Sequence, residues 1–103
     1  MHPIDRLFAT IESRKTADPA KSYTAKLFAQ GVLKIAKKLG EEGVETALAA
    51  VAEDKAAIAA ESADLLYHLL VLWVACGVNP EDAYAALEAR ANSSGLEEKS
   101  ARS

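Results

Sequence analysis

Residues 55–76 read KAAIAAESADLLYHLLVLWVAC, and this stretch decides the fold of the chain. Between Ala56 and Cys76 only four residues fall outside the apolar class, namely Glu61, Ser62, Asp64 and His68. Such a run predicts one long helix, for which Asp54 is a suitable N-cap. A helix that is apolar nearly all round must be covered on several sides, and a chain of 103 residues can hardly cover it alone. The stretch therefore predicts a central helix that a homodimer helps to bury.

The flanking sequence predicts further helices and an all-α bundle of four to five helices. Alanine is abundant while proline and aromatic residues are scarce, a composition that favours helices over strands. Gly77 predicts the end of the central helix, and Ser22 is a suitable N-cap for a short helix. The predicted helices span about residues 4–14, 23–30, 32–52, 55–76 and 80–91. We expect a single domain over residues 1–91 and a polar, flexible tail over residues 92–103.

Charge, cysteine content and hydropathy exclude several classes of protein. The net charge of −3 provides no strong field for nucleic acid or for an anionic membrane. The single cysteine, Cys76, excludes an internal disulfide and a cysteine-rich zinc site. The longest apolar run, residues 65–76, contains His68 and is too short to cross a bilayer. The first residues lack the apolar segment of a signal peptide. We therefore expect a cytoplasmic protein without a nucleic-acid or membrane partner.

Two pairs of carboxylates carry the predicted chemistry. Glu42 and Glu45 are three residues apart on one predicted helix, and Glu61 and Asp64 are three apart on the next. This spacing puts both members of a pair on one helix face, and helices joined by a short connection are antiparallel neighbours. Charged residues avoid burial unless they are paired or bind a metal, and Lys55, the nearest cation to the second pair, is more than a turn away. Oxygen ligands suit a hard cation, so the pattern predicts Mg²⁺, with Mn²⁺ as a substitute.

The first pair also has an interpretation as part of a solvated helix face. Lys37 and Lys38 precede Glu41 and Glu42 by four residues. This spacing is typical of surface ion pairs on a helix. Because the second pair lies in an apolar helix, we favour the metal site over the solvated face. A carboxylate-bound cation indicates phosphoryl chemistry. Lysines within about a turn of the acids, which are candidates to hold phosphates, are Lys34, Lys37 and Lys38.

Four neighbouring residues have two interpretations each. His68 follows Asp64 by four residues on the same face. It is either a core histidine bonded to a neighbour such as Asp64, or a residue that contacts substrate or orients that carboxylate. We place it among the candidate substrate-binding residues. Tyr67 either stacks on a base or packs, and we favour packing. Gly40 and Gly43 indicate either close packing against a neighbour or room for a ligand.

At these residues the sequence resembles a known family, the phosphoribosyl-ATP pyrophosphatases. Residues 37–45 (KKLGEEGVE) are similar to the family's lysine-lysine-x-glycine-glutamate-glutamate segment, and residues 61–71 (ESADLLYHLLV) to its second motif. Residues 22–27 (SYTAKL) are similar to its serine-tyrosine-threonine segment. The two carboxylate pairs alone are shared by the wider MazG-like nucleotide pyrophosphohydrolases. The tyrosine-histidine after the second pair and the serine-tyrosine-threonine segment indicate the narrower family. One departure is Gly43, where alanine is often found.

The resemblance implies a fold, an activity and a site. The fold is a MazG-like helical bundle, completed by homodimerisation. The activity is hydrolysis of phosphoribosyl-ATP to phosphoribosyl-AMP and pyrophosphate, with Mg²⁺, in an early step of histidine biosynthesis. The metal ligands that the family's motifs imply are Glu42, Glu45, Glu61 and Asp64. Glu41 becomes a candidate for the water-activating base or for an outer ligand. The candidate phosphate contacts are Lys26, Lys37 and Lys38.

Two other functions also fit the sequence. One is a MazG-like pyrophosphohydrolase that acts on other nucleoside triphosphates. The other is a non-catalytic helical dimerisation module, which needs no metal and no convergence of its acids. Turnover of phosphoribosyl-ATP against the standard triphosphates separates the first from the narrower family, and a measurement of Mg²⁺ binding separates the second from either enzyme.

Overall fold

Five helices form all the regular structure of residues 2–92, which are the residues that the computed structural model describes. They are α1 (Pro3–Ser13), α2 (Tyr23–Gln30), α3 (Val32–Val51), α4 (Lys55–Cys76) and α5 (Pro80–Ala91). The all-α prediction is confirmed, and the predicted helix ends differ from the observed ones by at most one residue. Of the predicted tail, residues 93–103 lie outside the described residues.

The helices begin and end at the residues whose local chemistry predicts it. The Ser22 side chain accepts a hydrogen bond from the backbone N–H of Ala25 at 3.1 Å, which caps α2. The Asp54 carboxylate does the same for α4, accepting from Ala57 at 3.1 Å. Gly77 ends α4 with φ of +73°, a left-handed conformation that glycine adopts without strain. These caps satisfy backbone groups that would otherwise lack partners at the helix ends.

The α3–α4 pair is the centre of the bundle. These two helices make the most extensive contact in the described chain, while α1 packs on α4 and α2 touches both α3 and α4. Because the connection between Val51 and Lys55 is short, α3 and α4 run antiparallel. The buried core is formed by side chains from α1 to α4, namely Ile11, Leu27, Ile35, Leu70, Val71 and Val74.

Helix α4 is only partly covered within one chain. By length and composition it is long and apolar enough to cross a membrane, a test that the core helix of a soluble protein also passes. The apolar run of residues 65–76 is itself too short to cross a bilayer, and the helix passes the test because it starts at Lys55. Here α4 packs against three other helices, but only 22% of its most apolar window is buried. Much of α4 is therefore only partly covered within residues 2–92.

Candidate metal centre

Three of the four predicted metal ligands meet where α3 faces α4. Glu42 and Glu45 lie one turn apart on α3, and Glu61 lies on the facing part of α4. One carboxylate oxygen from each of these residues lies within 4.8 Å of the others. The antiparallel packing brings the two motifs together although they are far apart in the chain. The arrangement has the dimensions needed for three carboxylates to share one ion.

Two carboxylate oxygens in this cluster have no hydrogen-bond partner. The Oε2 atoms of Glu42 and Glu61 are shielded from solvent, and no donor in the described part of the chain reaches them. A shielded carboxylate oxygen without a donor is unfavourable, because it has lost water and gained nothing in return. A hard cation would satisfy both oxygens, and an all-carboxylate donor set suits Mg²⁺ or Mn²⁺. The residues present therefore fit the predicted ion.

Burial and neighbouring negative charge raise the pKa of two carboxyls in the cluster. Burial raises the pKa of the Glu42 carboxyl, the charge of Glu45 raises it further, and His68 acts in the opposite direction. Burial also raises the pKa of the Glu61 carboxyl, with further contributions from Glu45, Glu42 and Asp64. Like charges held close together disfavour one another's ionisation. A cation in the cluster would remove this repulsion.

Asp64 stands at the edge of the cluster. Its side chain is exposed, and it is not one of the three residues whose oxygens lie within 4.8 Å of one another. Its charge nevertheless contributes to the raised pKa values of Glu42 and Glu61. Asp64 is one turn further along α4 than Glu61, and its side chain is one methylene shorter, which accounts for its position.

The surface beside the cluster is open at Gly40. A depression of about 470 Å³ is lined by Gly40, Glu41, Val44 and Glu45. A Cβ atom built at Gly40 would meet nothing within 4 Å, and one at Gly43 would only touch Leu65 Cδ1 at 4.0 Å. Gly40 therefore has room beside it within the described chain, whereas Gly43 faces α4 at an ordinary contact distance. Glu41 is exposed on this surface, next to the cluster and not in it.

The candidate phosphate-binding lysines have their side chains partly or fully in solvent. Lys26 on α2 and Lys37 on α3 are exposed, while Lys38 is half-buried. A second depression of about 510 Å³ is lined by Gln30, Leu33, Lys34 and Lys37. The Oε2 atom of Glu42 has no hydrogen-bond partner, so a surface ion pair with Lys38 does not engage it.

His68 is buried and hydrogen-bonded to the backbone of Asp64, the neighbour that its helical spacing indicated. Only 5% of it is exposed, and its Nδ1 lies 2.8 Å from the carbonyl oxygen of Asp64. Because a carbonyl can only accept, Nδ1 carries the proton and donates. The other ring nitrogen, Nε2, faces the Tyr23 hydroxyl at 3.5 Å. The geometry matches the interpretation of a core histidine bonded to Asp64.

Two residues of α2 beside this histidine had no role in the sequence analysis. The Thr24 hydroxyl is hydrogen-bonded to the Tyr67 hydroxyl, and the rings of Tyr23 and Tyr67 stack with centroids 6.3 Å apart. Tyr67 packs in this position, as predicted, and burial raises the pKa of its phenol. The available signal was the serine-tyrosine-threonine segment, which places both α2 residues directly after the N-cap.

Comparison with known proteins identifies relatives along almost the whole chain. The family model described as phosphoribosyl-ATP pyrophosphohydrolase matches residues 4–91. The chain is 58% identical over 99 residues to the phosphoribosyl-ATP pyrophosphatase of Azospirillum brasilense. These 99 residues cover 96% of this chain and 89% of that protein. It is 52% identical over 102 residues to that of Cereibacter sphaeroides, with 99% of each chain covered. The family resemblance is thus confirmed, and the chain belongs to the phosphoribosyl-ATP pyrophosphohydrolase family.

Proposed function

We propose that this chain hydrolyses phosphoribosyl-ATP to phosphoribosyl-AMP and pyrophosphate, as a cytoplasmic step of histidine biosynthesis. The observation that carries the proposal is the cluster of Glu42, Glu45 and Glu61, with its shielded and unpartnered oxygens. These glutamates stand at the positions of the family's two acidic motifs. The names of the relatives state the substrate, and the bond to be cut is the anhydride between its α and β phosphates.

The acidic cluster is proposed to hold Mg²⁺, for which Mn²⁺ can substitute. Glu42, Glu45 and Glu61 supply the ligand oxygens, and Asp64 is proposed as a fourth ligand from the edge of the cluster. When bound, the ion neutralises phosphate oxygens and lowers the pKa of a bound water. The residues themselves fix the place at which the anhydride is held, which is the main contribution of a protein to phosphoryl chemistry.

Residues around the cluster are proposed to handle the proton and the phosphates. Glu41 is exposed on the depression beside the cluster, where its carboxylate can accept a proton from the attacking water. The candidate contacts to the phosphates and to the leaving pyrophosphate are Lys26, Lys37 and Lys38. His68 is buried with both ring nitrogens facing protein groups. Its bond is to the Asp64 backbone and not to the Asp64 carboxylate, so we propose that it supports the Asp64 turn and does not contact substrate.

A homodimer is proposed to cover the apolar surface that one chain leaves open. The outer face of α3 exposes Leu33 (86%), Val44, Leu48 and Val51 (81%). The spacing of Val44, Leu48 and Val51 puts them on one stripe of the helix. Exposed apolar stripes of this kind are typical of interfaces. Because Val44 also lines the depression beside Glu45, a second copy on this face would adjoin the candidate metal centre.

The proposed activity is tested by product analysis with two substrates. Purified protein is incubated with Mg²⁺ and either phosphoribosyl-ATP or ATP, and pyrophosphate and orthophosphate are measured separately. We expect pyrophosphate from phosphoribosyl-ATP, released far faster than from ATP. Equal rates on both substrates would instead indicate a general nucleotide pyrophosphohydrolase. Release of orthophosphate would contradict the proposed bond.

A further inference from the structure

A small polar cluster joins the start of α2 to the acidic part of α4. It consists of Tyr23 and Thr24 on α2 and of Tyr67 and His68 on α4, and we call it the hydroxyl cluster. The Thr24 hydroxyl is bonded to the Tyr67 hydroxyl, and the Tyr23 hydroxyl lies 3.5 Å from His68 Nε2. The rings of Tyr67 and His68 meet edge to face with centroids 5.1 Å apart. Both connections span more than 40 residues of sequence.

The hydroxyl cluster is bonded through His68 to the backbone of Asp64, which is proposed as the fourth metal ligand. The His68 Nδ1–H donates to the Asp64 carbonyl, one turn earlier in the same helix. With Nδ1 protonated, Nε2 of the neutral ring is an acceptor, and the Tyr23 hydroxyl is the donor that faces it. Helical side chains lean towards the N-terminus of their helix, so Tyr67 and His68 lie over the turn that carries Asp64. The start of α2 is thereby connected to that turn.

For packing alone, apolar residues could replace the hydrogen-bonded residues of this cluster. Replacing both partners of a buried hydrogen bond by apolar groups of the same shape is often nearly neutral for stability. A valine at Thr24 with a phenylalanine at Tyr67 would fill similar space. What the hydrogen bonds add is a fixed distance and direction between α2 and α4. The Ser22 hydroxyl accepts a hydrogen bond from the Ala25 N–H and so caps the first turn of α2, which carries Tyr23 and Thr24.

We propose that Tyr23 and Thr24 are positioning residues, which act through Tyr67 and His68 to hold the Asp64 turn of α4 against the glutamates of α3. The inference rests on the proposed function, since it concerns the same metal centre. Partners behind metal ligands typically change metal affinity or activity by about 10- to 100-fold when they are removed. Neither α2 residue needs to touch the substrate for this effect.

The test compares hydroxyl removal with hydroxyl retention at one position. Thr24→Val keeps the branched shape and loses the hydroxyl, whereas Thr24→Ser keeps the hydroxyl. Tyr84→Phe is the matched control, because it also removes a bonded hydroxyl. This hydroxyl, on α5, donates to Asp5 at 2.8 Å, and neither residue belongs to the acidic cluster. For each protein we would measure kcat, KM for phosphoribosyl-ATP, the Mg²⁺ concentration for half-maximal rate, and the melting temperature in chelator.

We expect Thr24→Val to need about tenfold more Mg²⁺ for half-maximal rate and to lose kcat, with KM unchanged at saturating Mg²⁺. Thr24→Ser should recover most of the loss, and Tyr84→Phe should change only the melting temperature. A Thr24→Val protein with the parent's Mg²⁺ dependence and kcat would overturn the inference and leave the proposed function standing, even if its melting temperature fell. A change in KM alone would also overturn it, because it would indicate direct substrate contact. A parent without turnover of phosphoribosyl-ATP would overturn the proposed function and the inference together.

Discussion

Glu42 and Glu61 lie on different helices, yet each keeps its Oε2 atom shielded from solvent and without a hydrogen-bond partner among residues 2–92. A solvated helix face, the alternative interpretation of the first carboxylate pair, would leave such oxygens in water. The pKa values of both carboxyls are raised, first by burial and then by neighbouring carboxylates. Two shielded, unpartnered oxygens in one acidic cluster therefore favour a cation site over a surface patch.

Removing the Glu61 charge should relieve strain in the metal-free protein. We expect Glu61→Gln to melt in chelator at or above the temperature of the parent, because one of several like charges has gone. Mg²⁺ at 100 times its dissociation constant should stabilise the parent by about 2.7 kcal/mol, and the variant by much less. Thermal melts with chelator and with millimolar Mg²⁺ provide the comparison. Equal Mg²⁺-induced shifts would show that Glu61 is not at the metal.

Neutralising Glu45 should reduce turnover without unfolding the protein. Glu45→Gln keeps the shape of the side chain and removes a ligand charge, so we expect kcat to fall about a hundredfold or more. The matched control is Glu88→Gln on α5, whose side chain is exposed and lies outside the acidic cluster. The control should retain the parent's rate. Full activity of Glu45→Gln would contradict its assignment as a ligand.

Glycine should be the more stable residue at the position that follows each of α3 and α4. Glu53 follows α3 with φ of +58°, and Gly77 follows α4 with φ of +73°. A left-handed conformation costs about 1–2 kcal/mol for residues with a Cβ atom. Glu53→Gly should therefore raise the melting temperature, by about 4–8 °C for each kcal/mol gained, and Gly77→Ala should lower it. Calorimetry of both variants measures these shifts, and a lower melting temperature for Glu53→Gly would contradict the argument.

Tyr84 should contribute to stability only below alkaline pH. Its hydroxyl donates to the Asp5 carboxylate at 2.8 Å, and its pKa is raised above 10.0, first by burial and then by that bond. A raised folded-state pKa means that the contribution is complete below the unfolded value and is lost as pH rises through the folded one. Urea unfolding measures the free energy of unfolding of the parent and of Tyr84→Phe. The difference between the two proteins should be smaller above pH 10 than at pH 8. A constant difference between the two proteins would contradict this linkage.

The dimer is expected to use the outer face of α3. Light scattering at micromolar concentration should give a dimer for the parent and a monomer for Leu48→Glu, because the new charge would be buried in the interface. Leu87→Glu places the same charge at an exposed apolar residue of α5 and should remain dimeric. A monomeric Leu87→Glu beside a dimeric Leu48→Glu would place the interface on α4 and α5 instead. A monomeric parent would contradict the proposed dimer.

The helices were predictable because the signals that form them are local. Ser22 and Asp54 cap the helices that follow them, and Gly77 ends α4, through bonds and backbone angles that involve only near neighbours in sequence. The i and i+3 spacing of the acids likewise fixes which of them share a helix face. The family could also be inferred from sequence, because its motifs are short segments in a fixed order.

The contacts between helices were decided by the tertiary structure alone. Sequence spacing placed four carboxylates near one another, but packing determined that Glu42, Glu45 and Glu61 meet and that Asp64 stands at the edge. The shielding of single oxygens and the link from Thr24 to Tyr67 depend on how two helices rotate against each other. Such rotations are set by many side chains packing at once, and no local pattern along the chain encodes them.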